Sequence, residues 1–431
     1  MSLPTLMLRT PLMAALAACC MLGACDADAE VHELDDAAGQ PVESPVKDAS
    51  TAESPRQSSD AAAAASDADR GVQPALDARA DSAAAPDSGV SSQAEASTSD
   101  AGARADAAPE AGPSSPDAGG SQDRCDVAVL DPAKPPTALT LSGNLGTHDP
   151  ALIEQDGTFY LFQTGPRVAA KTSTNLMSWQ GAPSALGSAN PAWIAGEVPG
   201  AKDLWAPDLS FFGGQYHLYY SVSTFGSNSS CIGHASRASM SSGSFRDQGS
   251  VVCSNHGSKD DWNAIDPNVV LDEAGAPWLV FGSFWSGIKA VALNSDGTRK
   301  DAALHALASR NGGPIEAPFV VRRCGYFYLF VSFDKCCDGA NSTYNIRVGR
   351  SQKVLGPYLD QAGKPMLEGG GTLLVSTAGR WHGPGHNAVV FSGKRAYNVY
   401  HAYDANSGGA SMLRVSELVW DAQGWPVSGG P

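Results

Sequence analysis

From Asp26 to Arg124 the chain has no phenylalanine, tryptophan or tyrosine. A stretch of Ala, Ser, Asp, Pro and Gly cannot bury enough apolar surface to offset its conformational entropy, so no packed domain is expected there. The same stretch holds 21 Asp/Glu against 6 Lys/Arg, so nearly all of the chain's formal net charge of −16 belongs to it. Residues 125–431 are close to neutral and carry no basic patch, which argues against nucleic-acid binding. Helical periodicity is scarce, with short candidates only around Met240 and Ala302–Ala308. No cysteine or histidine spacing resembles a zinc site.

What precedes and follows the acidic stretch differs in kind. Met1 to about Ala24 has one charge, Arg9, followed by an Ala/Leu/Met-rich run. That is the pattern of a secretory signal, too short and too small-residued for a membrane span. Leu22-Gly23-Ala24-Cys25 has the form of a bacterial lipobox with Cys25 as the lipidated residue. Leu16-Ala17-Ala18-Cys19 competes with it, and ordinary cleavage without lipidation is the plainer alternative. Residues 1–24 therefore read as a signal peptide of lipoprotein type and 25–124 as a disordered linker. As a flexible coil that linker would reach about 55 Å root-mean-square. The expected location is the cell surface or outer membrane, or else the periplasm or medium, with membrane contact only through the N-terminal anchor.

All 33 aromatic residues lie in 125–431, which reads as one large all-β domain. Six cysteines fall there: Cys125, Cys231, Cys253, Cys324, Cys336 and Cys337. An exported chain can pair them. Cys231–Cys253, flanking one apparent hairpin, is the first choice, and adjacent Cys336-Cys337 could form a vicinal bridge.

Five turns recur along this region: His148-Asp149-Pro150, Trp205-Ala206-Pro207-Asp208, Ile265-Asp266-Pro267, Ile315-Glu316-Ala317-Pro318 and Gly385-His386-Asn387. After each comes a Gly-containing turn and a strand opened by Tyr160-Leu161, His217-Leu218, Trp278-Leu279, Tyr328-Leu329 or Tyr397-Asn398. Taking Asp149, Asp208, Asp266, Glu316 and His386 as equivalent, five repeats of roughly 50–70 residues imply a radial β architecture. A five-bladed β-propeller would gather the five turns at one end of a common channel. Any one of them alone reads better as turn chemistry, because Asp-Pro and Pro-Asp are common turn dipeptides. Three carboxylates converging on one channel would suffice for glycoside hydrolysis.

The order of motifs goes further. His148-Asp149-Pro150-Ala151, Leu204-Trp205-Ala206-Pro207-Asp208, Trp262-Asn263-Ala264-Ile265-Asp266-Pro267, Phe281-Gly282-Ser283-Phe284-Trp285, Ile315-Glu316-Ala317-Pro318-Phe319, Cys336-Cys337, Ser342-Thr343-Tyr344 and Gly385-His386-Asn387 together resemble the arabinanases of glycoside hydrolase family 43. The resemblance spans 145–426. It implies an inverting hydrolase of internal α-1,5-L-arabinofuranosidic bonds, with arabinan or a related pectic polysaccharide as partner and a monomer as the working form. Alternatives are an exo-arabinanase, a β-xylosidase or α-L-arabinofuranosidase of the same fold, and a surface sugar-binding propeller without catalysis.

By that resemblance Asp149 is the general base, Glu316 the general acid, and Asp266 the residue that orients the acid and, ionised, raises its pKa. Trp205, Phe225, Phe284 and Trp285 are candidates to stack on sugar rings. Asn263, Ser283, Ser342, Thr343 and Asn387 are candidates to bind hydroxyls. Asp208 is implied to be structural. His386 is implied to lie beside a structural Ca2+ ion in the central channel, and no organic cofactor is implied. Pro384 and the short 301–314 segment depart from the family pattern.

Overall fold

The computed structural model describes residues 123–431. The expected signal peptide, both candidate lipidation sites (Cys25 and Cys19) and nearly all of the expected linker lie outside the described residues. Five β-sheets make up the described chain, one of five strands and four of four. The first strands of the sheets are Ala151–Gln155, Trp205–Phe212, Asn268–Leu271, Ile315–Arg323 and Trp381–Ser392. Each touches the first strand of the next sheet, and the fifth touches the first, so the ring closes. The result is a five-bladed propeller with consecutive antiparallel strands in every blade.

The sequence of the first strands explains the ring. Adjacent apolar residues on a strand point to opposite faces, and here both faces are covered by a neighbouring blade. Leu152 packs toward blade five and Ile153 toward blade two. Val269 and Val270 divide between blades two and four, and Val320 and Val321 between blades three and five. Five hydrophobic clusters thus sit in the five clefts between blades. Runs of paired apolar residues, unlike the alternation of a half-exposed sheet, are the local signature of that double burial.

Residues before blade one complete the circle. Leu139 and Leu145 exchange backbone hydrogen bonds with Val415 and Leu413 of blade five, and Ser142–Gly143 then pairs with the outermost strand of blade one. Cys125–Cys324 ties the start of this segment to blade four. Cys231–Cys253 is bonded as the hairpin suggested. The vicinal bridge is not: Cys336 and Cys337 are free thiols with their sulfurs 2.6 Å apart. Neither short helix expected from the sequence forms. Met240 lies in a bend, and His305–Ala308 is the outer strand of blade three. No described helix is long and apolar enough to cross a membrane.

Candidate active site

At the end of the channel where all first strands begin, five residues hold left-handed backbone: Asp149 (φ 51°), Ala206 (42°), Asp266 (58°), Ala317 (55°) and His386 (50°). These, not the carboxylates, are the equivalent positions. In blades two, four and five the ladder skips two residues there: Trp205 pairs Ser221 and Asp208 pairs Tyr219, Glu316 pairs Ser332 and Phe319 pairs Phe330, Gly385 pairs His401 and Ala388 pairs Val399. Such irregularities re-aim side chains at the rim of a sheet. The alignment expected from the sequence is therefore corrected. Glu316 stands one residue before its blade's left-handed position, and Asp208 two residues after, inside the strand. Asp208 is buried and accepts from Asn268 Nδ2 (2.9 Å) and Val269 N–H (3.1 Å), so it stitches blade two to blade three. Burial raises its pKa to about 7.

Asp149, Asp266 and Glu316 all line one cavity of about 920 Å³. Their surroundings differ. The Asp149 carboxylate accepts a 2.5 Å hydrogen bond from Thr164 Oγ1 and has His148 Nδ1 at 2.7 Å and His386 Nδ1 at 3.1 Å. Burial opposes its ionisation, but the two imidazoles outweigh burial and hold it well below the ordinary carboxylate range. Burial likewise opposes charging His148 and His386, and the Asp149 carboxylate overrides it, raising both. A third imidazole, His401, stacks on His148 with centroids 4.1 Å apart. It accepts the Asp149 N–H at Nδ1, and burial keeps it neutral.

Glu316 has hydroxyls for neighbours. Ser283 Oγ donates to Oε2 at 2.8 Å, and the Tyr344 hydroxyl also bonds the carboxyl group. Burial outweighs both and raises its pKa. Asp266 accepts the Ala317 N–H at Oδ2 (3.0 Å), and burial lifts it to about 8. This alters the expected division of labour, in which an ionised Asp266 keeps Glu316 protonated. Burial is the main cause for both, and the nearby Glu316 charge adds to it at Asp266.

Of the residues expected to meet sugar, Trp205, Phe225, Asn263, Ser283, Phe284 and Trp285 line the cavity. Phe225 is 87 % exposed, a ring with no packing role to explain it. Phe284 and Trp285 hold positive φ of 49° and 39°, the kind of strained backbone that clusters at functional sites. Buried Asn263 has an Oδ1 with no protein partner, open to a hydroxyl donor. Three expectations fail. Asn387 is buried behind the site with Nδ2 on Asn398. Thr343 accepts from Lys335 N–H and staples its loop. Ser342 is buried and accepts from Asp338 N–H. Sequence reasoning passed over Thr164, His148, His401, Lys335 and Tyr344. His148, beside Asp149, and Tyr344 stood inside quoted motifs without being given a role; the other three carried no local signal.

A calcium ion takes six to eight oxygens. His386 Nδ1 has Asp149 Oδ1 at 3.1 Å, and His148, Asp149 and His401 present ligand atoms within 4.8 Å of one another; this nitrogen-rich set with one carboxylate supplies few of the oxygens that a calcium ion takes. No step below involves an ion.

Residues 143–426 match the sequence profile described as glycosyl hydrolases family 43. The chain belongs to this family. Within family 43 it is 44 % identical over 286 residues to the extracellular endo-α-(1→5)-L-arabinanase 1 of Bacillus subtilis, covering 65 % of this chain and 86 % of that protein. It is 39 % identical over 297 residues to the extracellular exo-α-(1→5)-L-arabinofuranosidase ArbA of Cellvibrio japonicus, covering 65 % and 85 %. The solved family 43 endo-arabinanase of Bacillus licheniformis superposes with a TM-score of 0.64 at 46 % identity, over 67 % of this chain and 99 % of that one. The protein is thus a family 43 glycoside hydrolase on a five-bladed propeller.

Proposed function

We propose that this family 43 hydrolase cleaves internal α-1,5-L-arabinofuranosidic bonds of arabinan with inversion. The observation that carries the reading is the opposed tuning of two carboxylates in one cavity. Asp149, ringed by imidazoles and Thr164, is ionised and suited to take a proton from water. Glu316, buried among hydroxyls, keeps its proton for the leaving oxygen. Inversion needs this pairing of one charged and one neutral carboxyl, on opposite sides of the sugar with a water between. Asp266 holds the turn that carries Glu316 through the Ala317 N–H. The water's proton goes to Asp149, its oxygen to the anomeric carbon, and the Glu316 proton to the departing sugar oxygen.

The aromatic set Trp205, Phe225, Phe284 and Trp285 suits the apolar faces of furanose rings. Arabinan as substrate is supported by the names of the relatives above, and exo action by the name of one of them. Incubation with linear arabinan, debranched arabinan and xylan tests all of this together. An early ladder of arabino-oligosaccharides with inverted anomers is expected. A single product from the outset means exo action, and binding without turnover means a lectin-like propeller. Both relatives are described as extracellular, which supports export. Labelled fatty acid retained by the wild type and lost in Cys25→Ala would establish the anchor.

A further inference from the structure

Four residues after the aromatic or histidine that opens each second strand stands a side chain with one recurring task. Thr164 Oγ1 accepts the Ala206 N–H at 2.8 Å, Ser221 Oγ the Asp266 N–H at 2.8 Å and Ser332 Oγ the His386 N–H at 2.9 Å. His401 Nδ1 accepts the Asp149 N–H at 3.2 Å. Four of the five blades thus secure the left-handed residue of the next one, a conformation that non-glycine residues rarely adopt unaided. Blade three breaks the pattern. After Trp278 it has one extra residue, Gly282, at φ +133° with no room for a side chain: a Cβ would lie 2.6 Å from Gly287 O. Its hydroxyl, Ser283, falls one place later and donates to Glu316 Oε2 at 2.8 Å. The backbone lock that blade four would otherwise lack comes from Asp266 Oδ2 on Ala317 N–H.

We propose that the extra residue Gly282 turns Ser283 from a turn lock into a positioning residue for the Glu316 carboxyl, selecting the oxygen that delivers the proton. A protonated carboxyl has one acceptor-type oxygen and one hydroxyl oxygen. With Oε2 accepting from Ser283, the acid proton resides on Oε1. This rests on the proposed role of Glu316 as general acid, and the experiment separates the two.

Wild type, Ser283→Ala and Ser332→Ala are compared on debranched arabinan and on a 2,4-dinitrophenyl α-arabino-oligosaccharide, whose leaving group departs without protonation. Ser283→Ala is expected to lower kcat on arabinan by about 10- to 100-fold, the scale of a small misplacement of a reacting group. KM should be unchanged, and the loss on the dinitrophenyl substrate below about threefold, since general acid help is not needed there. Ser332→Ala, which loosens a turn without touching the acid, should affect both substrates by the same factor. Melting temperatures establish that both variants are folded. Equal losses of Ser283→Ala on the two substrates, or none on arabinan, overturn the proposal. Undiminished arabinan turnover by Glu316→Gln would instead overturn the acid assignment beneath it.

Discussion

Blade two and blade four present nearly the same words at the cavity, Trp205-Ala206-Pro207-Asp208 and Ile315-Glu316-Ala317-Pro318, and use them for different ends. In both, alanine takes the left-handed position before proline. In blade four the carboxylate precedes the alanine and reaches the cavity; in blade two it follows and is swallowed by the sheet, where Asn268 and Val269 use it. The place before the alanine in blade two belongs to Trp205, a ring facing substrate space. Shifting a carboxylate across one turn converts a chemical blade into a holding blade. Side-chain identity alone does not decide role; register against the left-handed residue does.

The sharpest way to break the comparison is to neutralise the chemical blades. Asp149→Asn and Glu316→Gln should each lower kcat on arabinan by about 10²- to 10⁴-fold, the usual worth of a positioned base or acid, with circular dichroism unchanged. Azide is expected to leave both variants inactive in forming retained products, because inversion has no covalent sugar–enzyme intermediate. Near wild-type turnover in either variant removes that residue from the mechanism.

Asp266 sharpens the contrast through stability. Its folded pKa of about 8 stands above its unfolded value near 4. A raised carboxyl favours the folded state while protonated and costs stability as pH climbs between those two values. Asp266→Asn removes that cost yet keeps an oxygen for the Ala317 N–H. The variant should be nearly inactive and melt higher than wild type, by about 1–3 °C near pH 8 and by nothing near pH 4. Asp149 has the opposite sign: held low, it adds stability above the unfolded carboxyl pKa that is lost as pH falls through its depressed folded value. A melting curve of Asp266→Asn that parallels the wild type at every pH would contradict the buried-proton account.

The holding blade should speak through affinity. Phe225, in the loop after blade two's second strand, is 87 % exposed and lines the cavity. Phe225→Ala should raise KM for debranched arabinan by about 2- to 10-fold, the worth of one aromatic stacking contact, with kcat and melting temperature unchanged. A fall in kcat at constant KM would place the ring near the reacting bond instead.

Much of this was readable before the fold was known. Five turns, the five second strands opened by Tyr160, His217, Trp278, Tyr328 and Tyr397, and the three cavity carboxylates all stand in the sequence at repeating distances. The propeller and its cavity end follow from them. The register did not follow, because counting acids aligns Asp208 and Glu316 with Asp149, whereas the proline after the left-handed residue aligns Ala206 and Ala317 with it. Pro150, Pro207, Pro267 and Pro318 carry that signal, with Asn387 in the fifth copy. Thr164 and Tyr344 were hidden for another reason. Their contacts to Asp149 and Glu316 join different strand ends of the same blade, and nothing local marks a hydroxyl that will face a carboxylate across the rim of its own sheet. Asn387 misled because it adjoins His386: in a strand the next residue points to the other face, and there it meets Asn398.

Asp208 offers the finest test of the comparison, since it is the acid that blade two keeps out of the chemistry. Asp208→Asn preserves shape and retains one oxygen, so the bond from Val269 N–H can survive while the one from Asn268 Nδ2 is lost or strained. One buried hydrogen bond left imperfect costs about 1–3 kcal/mol, and kcat and KM on arabinan should stay within about twofold of wild type. Asn268 also accepts the Val320 N–H at 2.8 Å, so the loss should be felt as loosening among the first strands of blades two, three and four. A variant that melts like wild type but has lost activity would reverse the argument. It would mean that Asp208, despite its burial and its pKa near 7, reaches the reaction after all.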